Sequence, residues 1–167
     1  MEYITNINGF ILRDAIEEDC AEILNLIKAI ATYEKMLDEV TASVESLRES
    51  LFIKKRAQVL LAIYNNKIVG YMLYFFNYST FTGGANLYLE DLFLYEEYRH
   101  KGFGRKMFEV LAKIAIKEKA KRIDWVCLDW NTPGRNFYKS IGAQALDMWV
   151  LHRLDEKQIA KLANEGN

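Results

Sequence analysis

Six consecutive residues, Arg99-His100-Lys101-Gly102-Phe103-Gly104, have the composition of an anion cradle. They lie between an apolar run that ends at Leu94 and an amphipathic pattern that begins at Gly104. The first turn of a helix leaves backbone N–H groups unpaired. Glycines keep side chains out of the way of a ligand that approaches those groups. The helix dipole favours negative charge at the same place. Arg99, Lys101, Arg105 and Lys106 add positive charge, so a pyrophosphate is the natural guest. A dinucleotide fingerprint would need a third glycine where the chain has Met107. A P-loop would need Gly-Lys-Ser/Thr, which Gly104-Arg105-Lys106 does not supply. The competing reading is a glycine-rich turn that only starts a helix.

A second chemical feature is the adjacent pair Glu90-Asp91 inside an otherwise apolar stretch. Strand alternation puts the two on opposite faces, so one of them faces a cleft. Burial in such a strand predicts a raised carboxyl pKa for Glu90. The bland alternative is a pair of edge-strand surface charges. The two histidines, His100 and His152, and the two cysteines, Cys20 and Cys127, form no cluster with metal-ligand spacing, so no metal is expected. Both cysteines fall in apolar patterns far apart, which predicts reduced, buried thiols and a cytoplasmic setting.

Charge is unevenly spread. Residues 1–50 hold eleven acidic and four basic side chains, whereas 99–122 hold nine basic and two acidic. Two partners of opposite sign would suit that asymmetry, a cationic and an anionic one. With a net charge of −1 the chain as a whole is no polyanion binder, and its aromatic run from Tyr71 to Phe81 is not basic. That run reads as core packing, with no nucleic-acid partner expected. No apolar stretch is long enough to span a bilayer, so no membrane partner is expected either.

The elements that must position these residues follow from hydrophobic periodicity. A strand is predicted over 10–13 and a helix over 17–34, with Asp14 and Glu17 as its capping box. A second helix spans 43–51. Strands over 57–64 and 68–76 are joined by the turn Asn65-Asn66-Lys67, and a third strand covers 86–94. An amphipathic helix covers 104–119 with Met107, Leu111 and Ile114 inward. Further elements are a strand over 123–128, a helix from Asn131 or Thr132 to Ile141 stopped by Gly142, a last strand over 148–152, and a C-terminal helix opened by Asp155. The fold class is α/β (α+β), a single domain over 1–167 with helices on a sheet.

The run Arg99, Gly102, Gly104 matches the Arg/Gln-x-x-Gly-x-Gly/Ala loop and resembles that of the GNAT family of N-acetyltransferases. Leu87-Tyr88-Leu89-Glu90-Asp91, Tyr98-Arg99, Trp130-Asn131, Asn136-Phe137-Tyr138-Lys139 and Gly142-Ala143 look like its spermidine/spermine branch. Leu128 to Asn131 resembles the thialysine acetyltransferases of that branch, and Tyr33-Glu34 also matches. The resemblance implies a mixed, largely antiparallel central sheet flanked by helices, acetyl-CoA as the acetyl donor, a small-molecule amine as acceptor, and a homodimer. It implies Tyr138 as the acid for the departing thiolate, which suits a phenol because the two acidities are close. Glu90 would take the amine proton through water. Leu92, Phe93 and Leu94 would hold the pantetheine arm, with a backbone N–H there polarising the acetyl carbonyl. Arg99, His100, Lys101, Gly102, Phe103, Gly104 and Arg105 would hold the pyrophosphate. Asn131, Thr132, Pro133 and Gly134 would form a second cofactor loop. Tyr33, Glu34, Glu90, Asp91, Asp124, Trp125 and Val126 would contact the amine.

The loop 77–84 has no acidic residue where the polyamine enzymes carry one. A long polycation therefore lacks one counter-charge here, while diamines and thialysine-like amines remain open. The same fold could instead acetylate a protein lysine or N-terminus, and a non-catalytic acyl-CoA binding module is a third reading.

Overall fold

Three long runs of alternating apolar residues pair in the order they are synthesised. The computed structural model describes residues 1–165, and the chain divides into two compact units, Met1–Trp130 and Asn131–Asn167. The first unit holds a six-stranded sheet in the order β1 (Glu2–Ile4), β2 (Phe10–Asp14), β3 (Gln58–Tyr64), β4 (Lys67–Ser79), β5 (Gly84–Leu94) and β6 (Ile123–Asp124). Every neighbouring pair is antiparallel except β5 with β6. The β3–β4 hairpin turns at Asn65 and Asn66, both with positive φ, as a two-residue turn matched to strand twist requires.

Residue parity assigns the two sheet faces. Val59, Leu61, Tyr71 and Phe93 pack with Cys20, Ile23 and Leu26 of α1 (Cys20–Tyr33) in one buried cluster, which α2 (Val44–Leu47) joins through Leu47. Phe10, Leu12, Leu60 and Ala62 have the opposite parity and are fully buried on the other face. There α3 (Phe103–Lys117) lays down Met107, Leu111 and Ile114, as its 3.6-residue spacing dictates. Phe103, its first residue, stacks on Phe10 with ring centroids 4.0 Å apart and planes 3° from parallel. The loop before α3 is thereby pinned to the sheet.

Several sequence expectations change. β1 is an added strand. The turn before α1 is a short 3-10 segment over Glu17–Asp19, and its cap comes from Asp19, whose Oδ2 accepts from the Ile16 N–H at 2.8 Å. Asp14 does not cap, because β2 continues through it, opposite Leu60. The second helix starts as expected, as α2, and its second half winds into a π-turn over Arg48–Ile53. The aromatic run is only partly core: Tyr71 and Tyr74 are buried, but Phe81 is 93% exposed.

The second unit contains α4 (Thr132–Ser140) and α5 (Glu156–Asn164), capped by Asn131 and Asp155 as expected. The predicted strand over 148–152 is absent. A strand needs a neighbour for its N–H and C=O groups, and no ladder among the described residues includes this run.

If the aromatic stack anchors α3, Phe103→Ala should cost about 3 kcal/mol, as buried phenylalanines do. The urea midpoint would fall while the slope stayed constant. An unchanged midpoint would show that the loop is held elsewhere.

Candidate active site

The anion cradle forms where β5 hands over to α3. After Leu94 the chain makes a 3-10 turn over Glu96–Tyr98, then reverses through His100 (φ 59°) and Gly102 (φ 81°) into the helix. Gly102 is the helix cap and offers no side-chain acceptor, so the first-turn N–H groups of Phe103, Gly104 and Arg105 face outward with the positive end of the dipole behind them. A Cβ on Gly102 would meet only the Ile7 Cδ1 methyl at 3.5 Å; the left-handed backbone is what demands glycine. Arg99 is fixed in place: its Nε donates to the Leu94 carbonyl at 2.9 Å, and its guanidinium lies 4.7 Å above the Tyr33 ring. Lys106 is paired with Glu109 at 2.7 Å. Lys101 lies over the Tyr98 ring. Uncapped N–H groups and cationic side chains are the donor set a pyrophosphate requires.

Upstream, β5 carries the two acids, and here simple alternation fails. Leu73 pairs with Asp91, but Tyr74 pairs with Leu89. Glu90 is therefore the extra residue of a β-bulge, which re-aims neighbouring side chains. Glu90 is exposed and Asp91 is half-buried. The Asp91 carboxyl is pushed up by burial, with a hydrogen bond from Tyr71 acting in the opposite direction. That bond runs from the Tyr71 hydroxyl to Asp91 Oδ2 at 2.7 Å. Glu34, at the end of α1, is also pushed up, first by burial and then by the negative charge of Asp91. Tyr33 beside it packs on Trp130 with centroids 6.0 Å apart, and the Lys35 ammonium lies 5.3 Å from the Trp130 ring. The structure thus gathers Tyr33, Glu34, Asp91 and Arg99.

The remaining expected residues of the first unit lie on β5, on β6 and just after it. The parallel ladder of β5 and β6 has only two pairs, Leu87 with Ile123 and Tyr88 with Asp124. Past them β5 runs on through Leu92, Phe93 and Leu94, paired with β4 alone. Asp124 is engaged by Arg122 at 2.9 Å, and Trp125 packs edge-on against Phe108. Val126 is 60% exposed. The strand expected through Leu128 thus ends at Asp124, so the chain leaves the sheet early. Within the second unit, Asn131 Oδ1 accepts from the Gly134 N–H at 3.1 Å, and Pro133 occupies the first turn of α4. Gly134 presses close to the Asn131 side chain. Tyr138 lies half-buried on α4 next to Phe137, ring centroids 5.6 Å apart. Among the described residues no cluster of His, Cys, Asp and Glu could hold a metal ion.

Sequence reading placed Tyr71 in the core and missed its hydroxyl. Only the register, which sets Tyr71 opposite Phe93 and so diagonal to Asp91, reveals the contact.

Residues 20–143 match the model of the acetyltransferase (GNAT) family. A thialysine N-epsilon-acetyltransferase of Bos taurus is 36% identical over 92% of this chain and 97% of its own length. An L-ornithine N5-acetyltransferase of Arabidopsis thaliana is 41% identical over 52% of this chain and 38% of its own length. Among solved structures, an integron cassette protein from the V. cholerae mobile metagenome superposes with a TM-score of 0.77 at 24% identity, covering 94% of this chain and 99% of the other.

The acid pair makes a stability prediction. Asp91 has a folded pKa above its unfolded one, so the folded state binds the extra proton. Stability is full below the unfolded pKa and declines as pH rises through the folded one. Asp91→Asn keeps an acceptor for Tyr71 and removes the charge. Its melting temperature should exceed the parent's at pH 8, with the gain vanishing near pH 4. A pH-independent difference would contradict the assignment.

Proposed function

The chain belongs to the acetyltransferase (GNAT) family and is an N-acetyltransferase, and on that premise we propose that it moves the acetyl group of acetyl-CoA directly to the primary amine of a small cationic substrate of diamine, polyamine or thialysine type. The observation that carries the reading is the uncapped start of α3 at Gly102, reached from the end of β5, where that strand has parted from β6. Acetyl-CoA, when bound, supplies a thioester acyl group activated toward amines. The N–H groups of Phe103, Gly104 and Arg105, with Arg99, His100 and Lys101 around them, hold its pyrophosphate. Leu92, Phe93 and Leu94 offer backbone groups to the pantetheine arm, and a backbone N–H there steadies the carbonyl oxygen as it gains charge. Asn131, Thr132, Pro133 and Gly134 complete the cofactor contacts in this reading.

Glu90 receives the amine proton through water, and its exposure on the bulge supports contact with solvent. The Tyr138 hydroxyl gives a proton to the departing thiolate. Tyr33, Glu34 and Asp91 meet the cationic amine, with Asp124, Trp125 and Val126 further along the same substrate. Names of relatives support an amine at the end of a short flexible chain: thialysine, ornithine and spermidine/spermine. The acid-rich first fifty residues would draw such cations in. Cys20, buried, and Cys127, half-buried, are both reduced thiols, which fits a cytoplasmic enzyme. No helix among the described residues is long and apolar enough to cross a membrane.

The reading is tested by assaying free-thiol release from acetyl-CoA across a panel of diamines, polyamines, ω-amino acids and lysine peptides. Small amines should react. Tyr138→Phe should lower kcat by about 100-fold or more while leaving acetyl-CoA affinity within a few-fold. Turnover of peptides alone would favour a protein acetyltransferase, and an unchanged kcat would remove Tyr138 from its role.

A homodimer belongs to the same reading. Met148, Trp149, Val150 and Leu151 form an exposed apolar run that supports burial against a second copy. Light scattering should return twice the chain mass of 19.5 kDa, and a monomer at high concentration would exclude it.

A further inference from the structure

Tyr71 is wholly buried, and its ring does the work of a core residue among Cys20, Ile23, Leu26, Leu61 and Phe93. A phenylalanine would fill the same space. The hydroxyl is an added liability, since a buried hydroxyl is costly unless it is hydrogen-bonded. Here it donates to Asp91 Oδ2 at 2.7 Å. The Asp91 carboxylate is hard to keep in turn: it is half-buried, and Glu34 at the end of α1 carries a second carboxylate close enough to feel its charge. Two nearby carboxylates disfavour each other's ionised form unless a cation is shared. Among the described residues neither of them has an ion pair. The nearby cationic side chains are committed to other partners, Arg99 to Leu94 and Tyr33, and Lys35 to Trp130.

We propose that Tyr71 is a positioning residue for substrate recognition: its hydroxyl fixes the Asp91 carboxylate on the α1 face, where Asp91 and Glu34 together receive one ammonium group of the substrate. The inference rests on the amine-acetylation reading above and adds Tyr71 to it. The titratable groups facing Asp91 are Tyr71 on β4, which binds it, and Glu34 on α1, which feels its charge; Arg99, beyond the end of β5, lies over the Phe93 ring of the same strand. The Tyr71 bond favours the ionised form of Asp91 and so widens the pH range over which it can hold a cation.

Tyr71→Phe keeps the ring and removes the hydroxyl. The KM for the amine should rise about 10-fold, as expected for losing a hydrogen bond to a charged group, with kcat within about 2-fold. The KM for acetyl-CoA should not move. The acid limb of kcat/KM for the amine should shift to higher pH, because Asp91 would hold its proton longer. In an Asp91→Asn background the same substitution should add nothing further, since its effect runs through that carboxylate. A purely structural role for Tyr71 would give equal losses in both backgrounds and leave the acid limb in place, and that result would overturn the proposal. A carboxyl 13C titration of Asp91 in the free protein gives an independent reading: its midpoint should move up in Tyr71→Phe, and an unmoved midpoint also overturns it. Should the wild-type chain acetylate no amine while that midpoint still moves, the Tyr71–Asp91 link stands and the amine assignment falls.

Discussion

A carboxyl group set into an apolar sheet face must find a hydrogen-bond donor or stay protonated, and Asp91 is under that constraint. The donor comes from the neighbouring strand, through Tyr71, at the one diagonal that β4–β5 pairing makes available. The remaining side of the carboxyl is bounded by the end of α1. For the helix to stop there, its last turn must deliver Tyr33 and Glu34, and Lys35 takes a positive φ immediately after them. Arg99 then lies on Tyr33 and binds the Leu94 carbonyl. Acidic and basic halves of the site are thus joined by one aromatic ring. The region of raised carboxyl pKa values and the phosphate-type cradle are parts of a single packed arrangement within the first unit.

The cradle has a different physical origin. It depends on a missing side chain, because Gly102 can adopt the left-handed backbone and supplies no cap. The cost of leaving N–H groups uncapped is offset elsewhere, by burying Phe103 against Phe10 and Tyr64. Placing a core aromatic directly after the glycine lets the helix start be firm and open at once.

Much of this was legible in the sequence. The three central strands, the amphipathic α3, the hairpin at Asn65-Asn66 and the Asn131 cap follow from period and local hydrogen-bonding chemistry, which act over a few residues. The glycine-basic loop was legible for the same reason. What escaped depends on contacts between distant segments. Alternation separates Glu90 from Asp91 onto opposite faces, but the bulge that changes this is a property of two strands together. Tyr71 looks like any core aromatic until the register is known. The apolar run over 148–152 has strand character without a strand partner, and β6 breaks off after two residues despite an apolar continuation through Val126 and Leu128. Asp14 has the residue type and spacing of a cap, but strand β2 extends one residue beyond its apolar pattern to include it.

The single extra residue at Glu90 also bears on how β5 can change over generations. Substitutions along the strand alter one contact at a time. Deleting one residue anywhere between the bulge and Leu94 would instead invert the facing of every residue beyond it, because side chains alternate with a period of two. Phe93 would leave the α1 core, and Leu94 would no longer lead into the Arg99 turn in the same phase. The strand should therefore accept many spellings but only one length.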